Sequence, residues 1–135
     1  MGTAMILVDT SVWIEYLRDT QDPVVVELGA LIDPSADLWI TEPIIMELLA
    51  GANTPHREEK ITQLSNGLAL VPIEPALDYR AAAQLFVASQ RNGHPVRSLR
   101  NCLIAAIAVR TGATLFHRDR DFAFLAEITP VKLHG

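Results

Sequence analysis

The chain is 135 residues long, half of them apolar, with one cysteine and a formal charge of −5. That length makes one domain with a real core, and a single cysteine, Cys102, excludes an intrachain disulfide and a cysteine zinc site. No apolar run approaches the roughly 18 to 20 residues of a membrane span, the N-terminus lacks the basic flank of a signal peptide, and these features together point to the cytoplasm.

Residues 1–4 precede Met5 as a leader or cloning remnant, which leaves 5–135 as the domain. The run "MILVD" (5–9) predicts a strand buried on both faces, with Asp9 or Thr10 capping a helix through "SVWIEYLR". Asp22-Pro23 starts a second helix, "PVVVELGALI". A short strand, "DLWIT" (37–41), leads into the helix "PIIMELLAG", and Thr54-Pro55 opens another helix to about Asn66. The strand "LALVPI" is followed by a long helix from Pro75 that stops at Gly93 and Pro95. Ser98 caps "LRNCLIAAIAVRTG", which Gly112 closes. Then come the strand ahead of "HRDRDF", a short helix and a last strand, "PVKL". Strands alternating with helices or helix pairs make an α/β fold with a mainly parallel sheet between helices.

In such folds ligands gather outside the carboxyl ends of the strands. Asp9 ends the first strand, and Asp119 and Asp121 follow a later one. If those strands are neighbours, three carboxylates converge. Taken alone, Asp9 is as well explained as a helix cap, although a carboxylate can cap with one oxygen and bind a metal with the other. Glu47 is more telling. Its helical neighbours are Pro43, Ile44, Ala50 and Gly51, none of which can pair with it. On a packed face such a carboxylate needs a cation or metal from elsewhere. Glu42, at the helix start, suits the helix dipole and needs nothing more. Asn101 lies in the first turn of a helix apolar nearly all round, where a cap or a satisfied core amide is the plainer reading. His117 reads as a packed or hydrogen-bonded residue, and Trp13 and Trp39 as core.

The basic residues are uneven. Six of the eleven, all arginines, fall between 91 and 120. Arginine grips phosphate through two parallel hydrogen bonds, so a local arginine belt in an acidic chain suits an enzyme presenting carboxylates to a polyanion. It equally suits a surface laced with salt bridges. A phosphoacceptor receiver domain would need a lysine by the site, and the only lysines are Lys60 and Lys132. A phosphatase using Asp-x-Asp as nucleophile would carry it after the first strand, not late in the chain.

With Asp9, Glu47 and the Asp119–Asp121 pair assembled, the chain resembles the PIN-domain ribonucleases, and among them the VapC toxins of bacterial toxin–antitoxin modules. The resemblance runs from Met5 onward and rests on "MILVDTSVWIEYLR", "EPIIMELLAG" and "VRSLRNCLIAAIAVRTGATLFHRDRDF", in that order and spacing. Each motif is weak alone; together they are specific. The resemblance implies a PIN-like fold, a small, mainly parallel sheet with helices on both faces. It implies acidic residues holding one or two Mg²⁺ or Mn²⁺ ions, and cleavage of structured RNA such as tRNA. It further implies a homodimer and a VapB-type antitoxin whose tail lies over the acidic pocket, with operator DNA reached only through that complex.

Carried onto this chain, the catalytic positions are Asp9, Glu47, Asn101, Asp119 and Asp121, and all but Glu47 are metal ligands. Thr10 and Ser11 are supporting polar groups, and Arg100, Arg118 and Arg120 are candidates for contacting RNA. A metal would turn bound water into an attacking hydroxide and offset charge on a phosphorane-like transition state. Asn101 departs from the pattern, because the family has aspartate there. Its carbonyl is still an oxygen donor, but hard cations favour charged oxygens, so metal affinity and activity are expected to fall. The alternative is a catalytically silent PIN domain that binds antitoxin, and operator DNA with it, without cutting RNA.

Overall fold

The computed structural model describes residues 5–32 and 36–134, so the reading of residues 1–4 falls outside it. Elements follow in the order β1 (Met5–Val8), α1 (Thr10–Leu17), α2 (Pro23–Leu31), β2 (Asp37–Thr41), α3 (Glu42–Ala50), α4 (Pro55–Asn66), β3 (Ala69–Val71), α5 (Pro75–Arg91), α6 (Leu99–Thr111), β4 (Thr114–Phe116), α7 (Asp121–Leu125) and β5 (Lys132–Leu133). The helix-start residues act as side-chain caps. The Asp22 carboxylate accepts from Val24 N ahead of Pro23, and the Thr54 hydroxyl accepts from Arg57 N ahead of Pro55. The Ser98 hydroxyl accepts from Asn101 N. Gly112 closes α6 at φ 72°, in the left-handed region that a Cβ disfavours. The outer strands are shorter than the apolar runs suggested, with β3 ending at Val71 and β5 spanning two residues.

All strand pairings are parallel, in the order β3-β2-β1-β4-β5. The chain therefore builds outward from β1 on one side, then returns to lay β4 against the other. With right-handed crossovers, this reversal puts α1 to α4 and α5 to α7 on opposite faces. The helix contacts divide the same way: α1 packs with α2 and α3, and α3 with α4, while α5, α6 and α7 pack with one another. A crevice opens where the order reverses, outside the ends of β1 and β4.

The centre of the sheet is dry. Leu7, Val8, Ile40 and Leu115 are inaccessible to solvent and pack with Trp13, Ile44, Ile104, Ile107 and Phe122. Trp39 is only partly buried against this core. Helix α6 is buried through Asn101, Cys102 and Ile104–Ala108, but Leu99 at its start is 57% exposed, so the helix is not apolar-packed all round. Among the described residues no helix is long and apolar enough to cross a membrane.

One buried charge fixes α6 against α5. Asp78 is 1% exposed; its oxygens accept from Arg110 Nε at 2.8 Å and Nη2 at 2.9 Å, and from Glu74 N at 2.8 Å. Arg110 Nη2 also donates to the Pro72 carbonyl at 2.9 Å, which ties the end of β3 to the same point. Removing one partner of such a pair strands the other charge. Arg110→Ala is expected to lower the unfolding free energy by about 3 kcal/mol, checked by urea denaturation, with Lys132→Ala on the exposed edge as the near-neutral control.

Candidate active site

Asp9 stands one residue past β1. Its backbone N–H donates to the Phe116 carbonyl at 2.8 Å, continuing the β1–β4 pairing and aiming the side chain into the crevice. The carboxylate is 1% exposed. Its Oδ2 caps α1, accepting from Ser11 N at 3.0 Å and Ser11 Oγ at 2.6 Å. Between the two candidate caps, the aspartate takes the role. The Ser11 hydroxyl in turn accepts from Arg118 N at 2.9 Å, so one side chain pins the exits of β1 and β4 together. Asp9 Oδ1 is different: it is buried with no hydrogen-bond donor aligned on it. Arg100 Nη1 lies 2.7 Å away, close enough for charge pairing but outside hydrogen-bond alignment.

Glu47 reaches the same crevice from α3. The packed-face premise needs correcting, since its side chain is about one-third exposed. The required partner from elsewhere does exist. Glu47 Oε1 takes Nε and Nη2 of Arg100 and accepts from Thr10 Oγ1 at 2.9 Å. Arg100 Nη2 also donates to Thr10 Oγ1 at 2.8 Å, so the threonine hydroxyl relays between guanidinium and carboxylate. Glu42 lies apart, accepting from Ile73 N at 2.7 Å as a structural tie.

Asn101 is 3% exposed and spends every polar group. Its Nδ2 donates to Asp119 Oδ2 at 2.9 Å and Asp121 Oδ2 at 3.1 Å, and its Oδ1 accepts from Arg100 Nη1 at 2.8 Å. Carboxylates only accept, so the amide nitrogen must face them and the orientation is unambiguous. Asp119 Oδ1 further accepts from Asp121 N at 3.0 Å. His117 is a packed residue: its Nδ1 accepts from Asp119 N at 3.2 Å, its ring lies 5.1 Å from that of Phe122, and burial lowers its pKa. Arg118 turns away, its Nε pairing with the Asp22 carboxylate at the start of α2. Asp22 is held below the usual carboxylate range by the Val24 N–H and then by Arg118.

These side chains line an open cleft of about 590 Å³ whose walls include Asp9, Glu47, Arg100, Asn101, Asp119 and Asp121, with exposed Arg120 at its rim. The acids stand two by two. Arg100 joins Asp9 to Glu47, and the Asn101 amide joins Asp119 to Asp121. Among the described residues, no three His, Cys, Asp or Glu side chains are grouped to hold a metal ion. The donor chemistry still fits a hard cation, being all oxygen and including the buried, unaligned Asp9 Oδ1. A divalent ion would have to replace the N–H donors that satisfy those oxygens now.

A family model, the PIN domain, matches residues 6–128. The chain is 44% identical over 126 residues to ribonuclease VapC11 of Mycobacterium tuberculosis, spanning 93% of this chain and 94% of that protein. It belongs to the VapC ribonucleases of the PIN-domain family. Among solved structures it resembles a chain of FitAB bound to an IR36 DNA fragment, at 25% identity and a TM-score of 0.76, covering 96% of this chain and 94% of that one. It also resembles a chain of VapBC2 from Rickettsia felis bound to a promoter DNA fragment, at 16% identity and a TM-score of 0.71, covering 96% and 97%. The fold is that of the family, an all-parallel sheet flanked by helices.

In this VapC-family chain the five acid and amide positions meet in one crevice, whereas Arg118 stands outside it. What sequence reasoning missed is the partner of Glu47. One signal was available: Arg100 sits in the first turn of α6, where the helix dipole disfavours a cation unless acids surround it. Asn101 completes the arrangement by donating to two carboxylates. Asn101→Asp removes both donors and adds a third negative charge. In EDTA its unfolding free energy is expected to fall by about 2 to 3 kcal/mol, with Mn²⁺ restoring most of the loss, as read by thermal melting. Behind it, burial and then the Asp121 charge push the Cys102 thiol up to about 11. At pH 8 a thiol reagent is therefore expected to label Cys102 only after denaturant unfolds the chain.

Proposed function

We propose that this chain is the RNA-cleaving toxin of a VapBC-type pair, a metal-dependent phosphodiester hydrolase acting on structured RNA such as tRNA. The observation that carries the reading is the set of carboxylates at the β1/β4 switch point, Asp9, Glu47, Asp119 and Asp121, in one open cleft with arginines inside it and at its rim. Asp9, Asp119 and Asp121, with the Asn101 carbonyl, would hold Mg²⁺ or Mn²⁺. When bound, such an ion acidifies a water and neutralises phosphoryl oxygens.

The remaining chemistry belongs to the chain. Ser11 locks the Asp9 carboxylate so that Oδ1 faces the cleft. Glu47, one-third exposed at the cleft wall, orients the attacking water or takes its proton. Arg120 at the rim would contact a phosphate beside the cut, and Arg100 a second one once released from Glu47 and Asp9, since a guanidinium matches phosphate oxygens bidentately. Arg118, paired with Asp22, ties the loop before α7 to the start of α2. Unpaired loops of a folded RNA fit an open cleft better than a duplex does, because sequence-selective recognition of RNA targets splayed bases. The FitAB complex bound to an IR36 DNA fragment supports a VapB-type antitoxin as partner here; a tail over the acidic cleft, with operator DNA reached only through that complex, belongs to the same proposal. A homodimer and a cytoplasmic setting complete the reading.

One observation favours a second reading. The Asn101 amide already hydrogen-bonds to both Asp119 and Asp121, which suits a silent module that binds antitoxin without cutting. Total tRNA with Mg²⁺ or Mn²⁺ separates the two readings, with EDTA and Asp9→Ala controls for each form. Asn101→Asp is expected to cleave about 10- to 100-fold faster than the present chain, one to two factors of ten in rate, and Asp9→Ala to abolish cleavage in both. If neither form cuts, the binding-module reading replaces the nuclease.

A further inference from the structure

Four acids share the cleft, and the cation that meets two of them, Asp9 and Glu47, belongs to the chain. Arg100 is 23% exposed, yet each nitrogen of its guanidinium is engaged: Nε and Nη2 with Glu47, Nη2 with Thr10, and Nη1 with both Asp9 and Asn101. Among the described residues, no other basic side chain pairs with Asp9 or Glu47. The position of Nη1 matters most. It lies 2.7 Å from Asp9 Oδ1 and 2.8 Å from Asn101 Oδ1, two of the four oxygens proposed above for the metal.

We infer that Arg100 is the resident counter-ion of this cleft and the direct competitor of the divalent cation, so that metal enters only as the guanidinium leaves. The two cannot share the oxygens. Like charges a few ångströms apart in a partly dehydrated cleft repel strongly, and neither oxygen can serve an N–H donor and a metal along one direction. Without metal, Arg100 keeps Asp9 and Glu47 from repelling each other and holds α3, α6 and the β1 exit in register. Once displaced, the same fork is free to pair with a phosphate of the RNA. Arg100 thereby sets how much free metal the protein needs. The inference rests on the metal site proposed above, but not on the substrate.

The test is Mn²⁺ binding to the full, metal-free chain without RNA, read by the paramagnetic signal of free Mn²⁺. Arg100→Ala is expected to bind Mn²⁺ about 10- to 100-fold more tightly than the unaltered chain, because charge-assisted hydrogen bonds no longer have to be broken. Arg97→Ala, which removes an exposed positive charge from the same cleft without breaking such a contact, is expected to change affinity by less than about threefold. Melting curves in EDTA and in Mn²⁺ give an independent readout. Arg100→Ala should melt lower than the unaltered chain in EDTA and gain more from Mn²⁺. If Arg100→Ala does not fold in EDTA, Arg100→Gln takes its place, removing the charge while keeping an amide that can hydrogen-bond Glu47 and Thr10, and binding tighter than the unaltered chain is again the expected result. Equal or weaker Mn²⁺ binding by the Arg100 variant overturns the inference, as does an Arg97→Ala effect of the same size. Tighter binding without RNA cleavage leaves it standing while the nuclease reading falls. No Mn²⁺ binding by Arg100→Ala and Asn101→Asp alike removes both the inference and the metal site.

Discussion

Everything at the mouth of this sheet depends on supplying donors to carboxylates that the fold forces together. Two like charges 4 Å apart cost about 4 kcal/mol at an effective dielectric near 20, and the cleft collects four acids from three parts of the chain. The chain meets this cost internally, with one guanidinium and one amide. Arg100 spans Asp9 and Glu47, and Asn101 spans Asp119 and Asp121. Arg100 also donates to Asn101, so the two halves form one connected network with adjacent residues of a single helix turn at its centre.

That network needs a rigid frame, and the surrounding contacts supply it. Ser11 uses its hydroxyl proton on Asp9 and its lone pair on the Arg118 amide, coupling two strand ends through one atom. Arg118 then anchors the loop before α7 to the start of α2 through Asp22. On the far side, the Asp78–Arg110 pair holds α6 against α5. The helix that delivers Arg100 and Asn101 is therefore fixed at its first turn by the site and at its last turn by an ion pair. Asp9 serves frame and site together, one oxygen for each.

Kinship to VapC ribonucleases at 44% identity places the chain in that family. It does not by itself explain why the chain satisfies them with nitrogen donors. An aspartate at position 101 would face Asp119 and Asp121 with no donor between them and would call for a cation from solution. The asparagine supplies two N–H groups at 2.9 and 3.1 Å instead. Asn101 thus meets both acids with hydrogen-bond donors of the chain itself.

Much of this protein was legible in the sequence, because the signals concerned are local. Asp22-Pro23, Thr54-Pro55, Ser98 and Gly112 act on backbone groups within a few residues, so their helix ends could be read directly. The order of the three motifs pointed to the family, and the demand of Glu47 for a distant partner was readable from its own helix. Three things were not readable. That β1 lies beside β4, which alone makes Asp9 meet Asp119 and Asp121, is a matter of strand order, and the sequence determines no pairing by periodicity alone. That Arg118 turns to Asp22, 96 residues away, while Arg100 turns inward depends on which acids the fold brings within reach. That Glu47 stays part-exposed depends on how α3 meets a cleft built by other elements. The sequence by itself determined the elements, the capped helix ends and the family; the tertiary structure alone decided which charge meets which, because Coulomb and hydrogen-bond partners are chosen by distance in space, not along the chain.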